Sequence, residues 1–191
     1  MRKVILASAL AAAAAFTSLA QAADYQIDTK GAHASIQFKI KHLGYSWLTG
    51  RFNTFGGDFS YDPASPEKSS INVMIDTTSI DSNHAERDKH LKGDDFLAVK
   101  EFPKASFKST AFEVKDATHA VVSGNFTLHG VTKAISFPVE KLGEGKDPWG
   151  GYRAGFTGTT SLKLADYGIM YNLGPASTHV QLELNVEGIR K

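Results

Sequence analysis

Three long stretches of this chain alternate apolar and polar side chains with almost no exception. They cover residues 36–41, 152–164 and 180–187. A period of two residues is typical of β-strands that have one apolar face and one face in water. No long helical pattern follows residue 22, so the strands must cover their apolar faces with one another. The pattern predicts an all-β fold, a closed or nearly closed antiparallel sheet whose interior is the first place to look for function.

The first 22 residues follow a different pattern. Arg2 and Lys3 precede an apolar, alanine-rich run over residues 4–19, and Ala20-Gln21-Ala22 comes after it. A basic start, a short apolar run and a small-x-small site are the features of a cleaved secretory signal. The run is short for a permanent membrane span, and a retained anchor is the alternative. We predict a signal peptide over residues 1–22, cleavage after Ala22 and a periplasmic location.

Residues 23–191 are expected to form a single domain. They number 169, with 19 basic and 20 acidic side chains and a net charge of −1. Such a chain lacks the basic surface that phosphate binding needs, so nucleic acid is not an expected partner. The chain has no cysteine, which excludes disulfides and a lipid-modified cysteine anchor. Export without cysteine suits the bacterial periplasm.

Short turn signals divide this domain into strand-sized segments. Asp62-Pro63, Gly93, Gly130 and Gly174-Pro175 are examples of these signals. Regular strands with turns between them favour a barrel or sandwich over an α/β fold. The predicted strands are 25–27, 35–41, 50–53, 57–61, 70–76, 105–114, 120–129, 133–142, 152–164 and 178–187.

One segment interrupts the strands with a helical signal. Asn83 is a candidate N-cap, and Glu86 follows three residues later in capping-box spacing. Gly93 is a candidate stop signal. We predict a short helix near residues 84–92 that lies over one end of the sheet as a lid.

The inward face of the predicted sheet is apolar and carries almost no charge. A filled core is one interpretation, because protein interiors pack tightly. A hollow core is the other, because eight strands enclose an interior that side chains just fill or that holds one small ligand. A hollow interior would suit a long hydrocarbon, since an unpaired buried charge is very costly. The inward residues are Ile36, Phe38, Ile40, Phe59, Val73, Ile75, Phe107, Phe126, Leu128, Ile135, Phe137, Val139, Phe156, Leu182 and Leu184.

Two other groups of side chains are candidates for chemistry. Residues 84–90 hold a dense polar cluster in which Glu86 and His90 share a helix face. A metal site needs a third ligand, so a metal-dependent hydrolase stays an alternative, whereas a serine hydrolase has no G-x-S-x-G motif to support it. Tyr45 and Trp47, after the strand that ends at Lys41, are candidates for the rim of a mouth, and the alternative is that Trp47 plugs the end of the barrel. A packed barrel with a stress-protective role is a further alternative.

Seven short motifs occur in order along the chain. They are His33-x-Ser35-x-x-Phe38, Lys41-His42-Leu43-Gly44, Gly50-Arg51-Phe52, Asn83-x-x-x-Arg87-Asp88-x-His90-Leu91, Phe102-Pro103-x-Ala105-x-Phe107, Leu128-His129-Gly130-Val131-Thr132-Lys133 and Leu173-Gly174-Pro175-Ala176-Ser177. With these motifs the chain resembles the YceI-like family of periplasmic proteins from about Asp24 to Arg190. The resemblance implies an extended, eight-stranded, lipocalin-like antiparallel barrel, often dimeric, with an apolar tunnel for polyisoprenoid or isoprenoid-quinone-like lipids. It implies no catalytic residue.

The sequence therefore predicts a non-enzymatic, exported barrel that carries or sequesters a polyisoprenoid or similar chain. The resemblance adds a homodimer to these expectations, and no metal or cofactor is expected. The candidate ligand-binding residues are Ile36, Phe38, Ile40, His42, Trp47, Phe59, Val73, Ile75, Arg87, His90, Phe107, Phe126, Phe137 and Phe156.

Overall fold

The computed structural model describes residues 22–191, and all but the last residue of the predicted signal lies outside this range. The regular secondary structure of the described chain is mostly β-strand, with short 3-10 turns and a single α-helix, α1 (Ala85–Leu91), as predicted. Within residues 22–191, no helix is long and apolar enough to cross a bilayer. The strands are β1 (Ala23–Ile27), β2 (Ser35–His42), β3 (Ser46–Phe52), β4 (Phe55–Tyr61), β5 (Ser70–Asp76), β6 (Ile80–Asp81), β7 (Lys104–Val114), β8 (His119–Leu128), β9 (Val131–Lys146), β10 (Tyr152–Lys163) and β11 (His179–Arg190).

These strands form one antiparallel sheet that closes into a barrel. The closed ring runs β1-β4-β5-β7-β8-β9-β10-β11 and returns to β1. Strand β11 pairs with β1 through Gly188 and with β2 through Asn185, so β1 and β2 follow one another along the same edge. In the same way, β3 and β4 lie end to end as two parts of one long strand, and so do β5 and β6. The eleven segments therefore act as eight long strands, which confirms the predicted eight-stranded barrel.

One end of the barrel is closed by segments that lie between the strands. Helix α1 and the chain after it bring Phe96 and Leu97 into the core, and the turn after β10 brings Tyr167 and Ile169. The Tyr167 carbonyl oxygen lies 3.0 Å from Nδ1 of His129, in the turn between β8 and β9. His129 and Gly130 both have positive φ, the requirement of the tight hairpin turn that matches strand twist.

The cap of helix α1 differs from the prediction. His84, and not Asn83, is the N-cap, and its Nδ1 accepts the Arg87 backbone N–H at 3.2 Å. Asn83 instead has φ of 60° in the turn before the helix, and Asn is one of the few residues that tolerate this conformation. The predicted capping box was therefore one residue out of phase.

Strand β3 begins earlier than predicted. Leu43 and Gly44 have positive φ and turn the chain tightly after β2, so Ser46 already pairs with His42. The predicted strand covered residues 50–53, so residues 46–49 were left outside it. The tight turn makes them part of a hairpin instead.

Candidate functional site

The barrel encloses a cavity of about 480 Å³. This volume lies in the range of ordinary small-molecule sites, roughly 300–1,000 Å³. Its wall is predominantly aliphatic and aromatic, and it is built from inward-facing residues of both sides of the ring. The sequence left a filled and a hollow interior open, and the structure has a hollow one.

Eight of the fourteen candidate ligand-binding residues line this cavity. They are the ones that alternate on the inward face of the closed ring, and their rings pack against one another. Phe59, for example, meets Phe156 edge to face at 5.6 Å between ring centroids. Whether they contact a ligand stays a prediction. The eight are Ile36, Phe59, Val73, Ile75, Phe107, Phe126, Phe137 and Phe156.

Two other apolar candidates lie outside the cavity wall. Phe38 is buried, but its ring packs against Phe52, with 6.1 Å between centroids. Ile40 is half-buried, two residues farther along β2. Both continue the inward alternation of β2, but the cavity does not extend to that part of the strand.

The polar candidates lie on the outside of the molecule. His42, Trp47 and Arg87 border a groove of about 700 Å³ whose other walls are mostly polar. Trp47 is half-exposed, with the ammonium groups of Lys39 and Lys41 each 5.6 Å from its ring centroid. Tyr45 and Trp47 do not rim the cavity, because neither residue borders it, and the half-exposed Trp47 does not plug the end of the barrel.

The cluster over residues 84–90 serves the local structure of the lid. Arg87 donates from Nε to Ser82 Oγ at 2.7 Å and from Nη2 to the Ser82 carbonyl at 2.6 Å. Asp88 accepts the Ser82 backbone N–H at 2.8 Å. His90 Nε2 lies 2.9 Å from Asp95 Oδ2, and its ring meets Phe96 edge to face. These contacts hold α1 against the chain that precedes and follows it.

The mouth of the cavity is at the end of the barrel opposite α1. Pro63 and Pro66, from the connection between β4 and β5, form one side of it. Ala117 and Thr118, from the turn between β7 and β8, form the other. In that turn, Asp116 accepts the backbone N–H groups of Thr118 and His119, and the first of these bonds is the main reason that its pKa is lowered. Sequence reasoning could not choose between the two ends.

A lysine of strand β9 interrupts the apolar wall near this mouth. Lys141 borders the cavity, and its Nζ donates to Glu144 Oε1 at 2.9 Å. Nζ also lies 5.1 Å from the centroid of the Tyr61 ring. Burial lowers the pKa of Lys141, but the bond to Glu144 and the neighbouring Tyr61 outweigh it, so the pKa is raised. The ammonium is therefore charged at neutral pH.

Arg153 is the centre of an ion cluster that the sequence analysis missed. Its Nη1 lies 2.6 Å from both Asp28 Oδ2 and Glu187 Oε1, and its Nε lies 2.8 Å from Asp147 Oδ2. The Arg153 hydrogen bond is the main reason that the pKa of Asp28 is well below its usual value, and His33 adds to it. Arg153 and Glu187 lie on the outward face of the neighbouring strands β10 and β11. Their opposite charges on one face are the signal in the sequence that could have predicted this contact.

This cluster also contains the one convergence of metal-ligating groups within residues 22–191, formed by Asp28, His33 and Glu187. The Arg153 guanidinium already bridges the two carboxylates. A bound cation would meet a fixed positive charge there, at a separation where like charges repel strongly in a partly buried setting. The arrangement fits a structural ion cluster.

Comparison with known proteins agrees with this architecture. A family model described as "YceI-like domain" matches residues 25–188. A curated relative, a UPF0312 protein of Shewanella sp. strain W3-18-1, is 56% identical over 191 residues and covers all of both chains.

Two solved structures share the fold. Burkholderia cenocepacia BcnA is 20% identical, with a TM-score of 0.74 over 84% of this chain and 98% of that one. A polyisoprenoid binding domain from Saccharophagus degradans is 18% identical, with a TM-score of 0.64 over 87% and 98%. At these identities the likeness concerns the fold alone. The match of the family model over nearly the whole described barrel, together with the full-length relative, places this chain in the YceI-like family.

Proposed function

We propose that this protein binds the apolar chain of a single-chain lipid inside its barrel and carries or sequesters it. The observation that carries the proposal is the cavity of about 480 Å³, enclosed by a ring of strands and lined mainly by aliphatic and aromatic side chains. A polar metabolite would lose its hydrogen bonds to water in such a place and gain few in return. A hydrocarbon chain loses nothing and fills the void.

The hydrophobic effect is sufficient to drive this binding. Each methylene that moves from water into an apolar site contributes roughly 0.8 kcal/mol. A chain of many carbons would therefore bind without a single hydrogen bond. The same void, left empty, deprives its wall of the dispersion contacts that a ligand would restore.

Several features guide the choice of lipid and location. The aromatic wall and the name of the Saccharophagus degradans domain favour a polyisoprenoid or isoprenoid-quinone-like chain. The basic start and Ala20-Gln21-Ala22 favour export to the periplasm with cleavage after Ala22. We propose the periplasm as the place where the protein takes up and releases its lipid. A homodimer is part of the proposal, to be checked by the mass of the particle in solution.

The experiment starts from protein purified from the periplasmic fraction under mild conditions. We expect its intact mass to match a chain that begins at Ala23, and mass spectrometry of an organic extract to show a long-chain lipid. The delipidated protein should take up geranylgeraniol saturably. Protein that carries no lipid and shows no saturable uptake of prenyl compounds would contradict the proposal.

A further inference from the structure

Strand β9 contains a β-bulge at the mouth of the cavity. Lys141 pairs with Phe156 and Gly143 pairs with Gly155, so Leu142 is an extra residue without a partner on β10. In a regular strand, residues three apart point to opposite faces. The bulge shifts the phase, so that Glu144, opposite the fully buried Ala154, lies on the same face as Lys141. Bulges that redirect a side chain in this way are typical of functional sites.

The bulge places a charged pair beside an apolar cavity. Lys141 borders the cavity, whereas Glu144 lines an adjoining groove on the barrel surface. Both side chains are about four-fifths buried, with 20% and 19% of their surfaces exposed. An ammonium has three N–H donors, and Glu144 takes one of them. The Tyr61 side chain also interacts with the ammonium, so one of the three donors is left for a ligand at the mouth.

We propose that Lys141 binds the head group of the lipid, and that the pair selects an uncharged oxygen acceptor, such as an alcohol or a carbonyl. The inference rests on the proposed lipid-binding function and adds the class of head group. The apolar chain fills the cavity, and the head oxygen accepts a hydrogen bond from Lys141 at the mouth.

Glu144 is the reason that the site prefers an uncharged head group. Its carboxylate neutralises the ammonium at hydrogen-bonding distance. An anionic head on Lys141 would lie within a few ångströms of this second negative charge, in a partly buried setting where water screens poorly. A neutral oxygen accepts the same hydrogen bond without that repulsion. Glu144 therefore acts as a positioning residue that also discriminates against anions.

The first test compares ligands that differ only at the head. Each ligand displaces the bound fluorescent probe 1-aminoanthracene, and the loss of fluorescence gives the affinity of geranylgeraniol and of the corresponding methyl-ended hydrocarbon. We expect the alcohol to bind roughly tenfold more tightly, the usual worth of a hydrogen bond to a charged donor. Lys141→Met should remove this preference, so that the alcohol and the hydrocarbon bind with equal affinity. Lys133→Met is the matched control, because Lys133 is an exposed lysine of the same strand away from the cavity.

The second test reverses the charge preference. In the wild-type protein, geranylgeranyl phosphate should bind no more tightly than the alcohol. Glu144→Gln keeps the size of the side chain and frees the ammonium, so it should raise the affinity for the phosphate at least tenfold while the alcohol changes little. Equal affinities for all three ligands in wild type and variants would overturn this inference but leave lipid binding intact. A failure of the hydrocarbon itself to bind would overturn the proposed function.

Discussion

The two ends of this barrel are built from the same alternating strands, yet one is filled and the other is hollow. At the closed end, Phe96, Leu97 and Tyr167 enter from segments between the strands and complete a packed core. At the open end, Pro63 and Pro66 only border the cavity. The strands therefore provide the apolar surface everywhere, and the connecting segments decide where that surface is covered.

Two leucines on neighbouring strands allow the filled core and the cavity wall to be compared through the free energy of unfolding. Leu162 lies in the core outside the cavity wall, whereas Leu182 borders the cavity. We expect Leu162→Ala to lower the free energy of unfolding by about 4 kcal/mol and Leu182→Ala by about 2 kcal/mol, because a side chain that borders a void has fewer contacts to lose. Urea unfolding measures both. Equal losses would indicate that the filled core and the cavity wall are packed alike.

Arg153 tests whether the ion cluster holds the loop between β1 and β2 against the barrel. Arg153→Met leaves the nearly buried Asp28 carboxylate without its cation, and we expect a loss of about 2–3 kcal/mol at pH 7. The pKa of Asp28 is depressed in the folded state, so its contribution is present above the unfolded pKa and declines as the pH falls toward the folded value. The stability gap between wild type and variant should therefore narrow below about pH 4.

Thermal or urea unfolding between pH 7 and pH 3 measures this difference in stability between wild type and Arg153→Met. Arg51→Met is a suitable control, because Arg51 lies on β3, away from the cluster. A gap that is constant over this range would show that Arg153 acts through packing and not through the Asp28 charge.

At the closed end, substitution of Tyr167 is expected to raise the stability of the protein, by less than the losses above. Its hydroxyl is buried without a hydrogen-bond partner among residues 22–191, and burial raises its pKa. Tyr167→Phe removes a buried polar atom and should stabilise the protein by about 1 kcal/mol. Tyr45→Phe, at a highly exposed tyrosine, should change nothing measurable. A loss of stability in the first variant would show that the hydroxyl has a partner in solution.

The sequence predicted the faces of the strands well, because a period of two residues determines which side chains share a face. The inward series from Phe59 to Phe156 illustrates this. The alternating pattern could not determine how far the interior is filled. Phe96 and Tyr167 come from connecting segments, whose path a two-residue period does not describe. For the exposed Trp47 the sequence left a rim and a plug open, because an aromatic side chain with a polar group suits a cavity mouth, a barrel end and an outer surface alike.

The polar features of the site were harder to foresee. Lys141 and Glu144 share a face only because of the extra residue at Leu142, and a bulge leaves no reliable mark in a single sequence. The Asp28–Arg153 contact joins residues 125 positions apart, so spacing carries no information about it. Such long-range contacts depend on the closure of the barrel.

The most direct test of a lipid-binding cavity uses two adjacent valines of β8. Val122 points into the cavity, and Val121 belongs to the opposite face. We predict that Val122→Phe folds with near-wild-type stability but loses saturable uptake of geranylgeraniol, while Val121→Phe keeps both properties. Unchanged uptake by Val122→Phe, or unfolding from an overpacked interior, would contradict the existence of a cavity with room for a lipid chain.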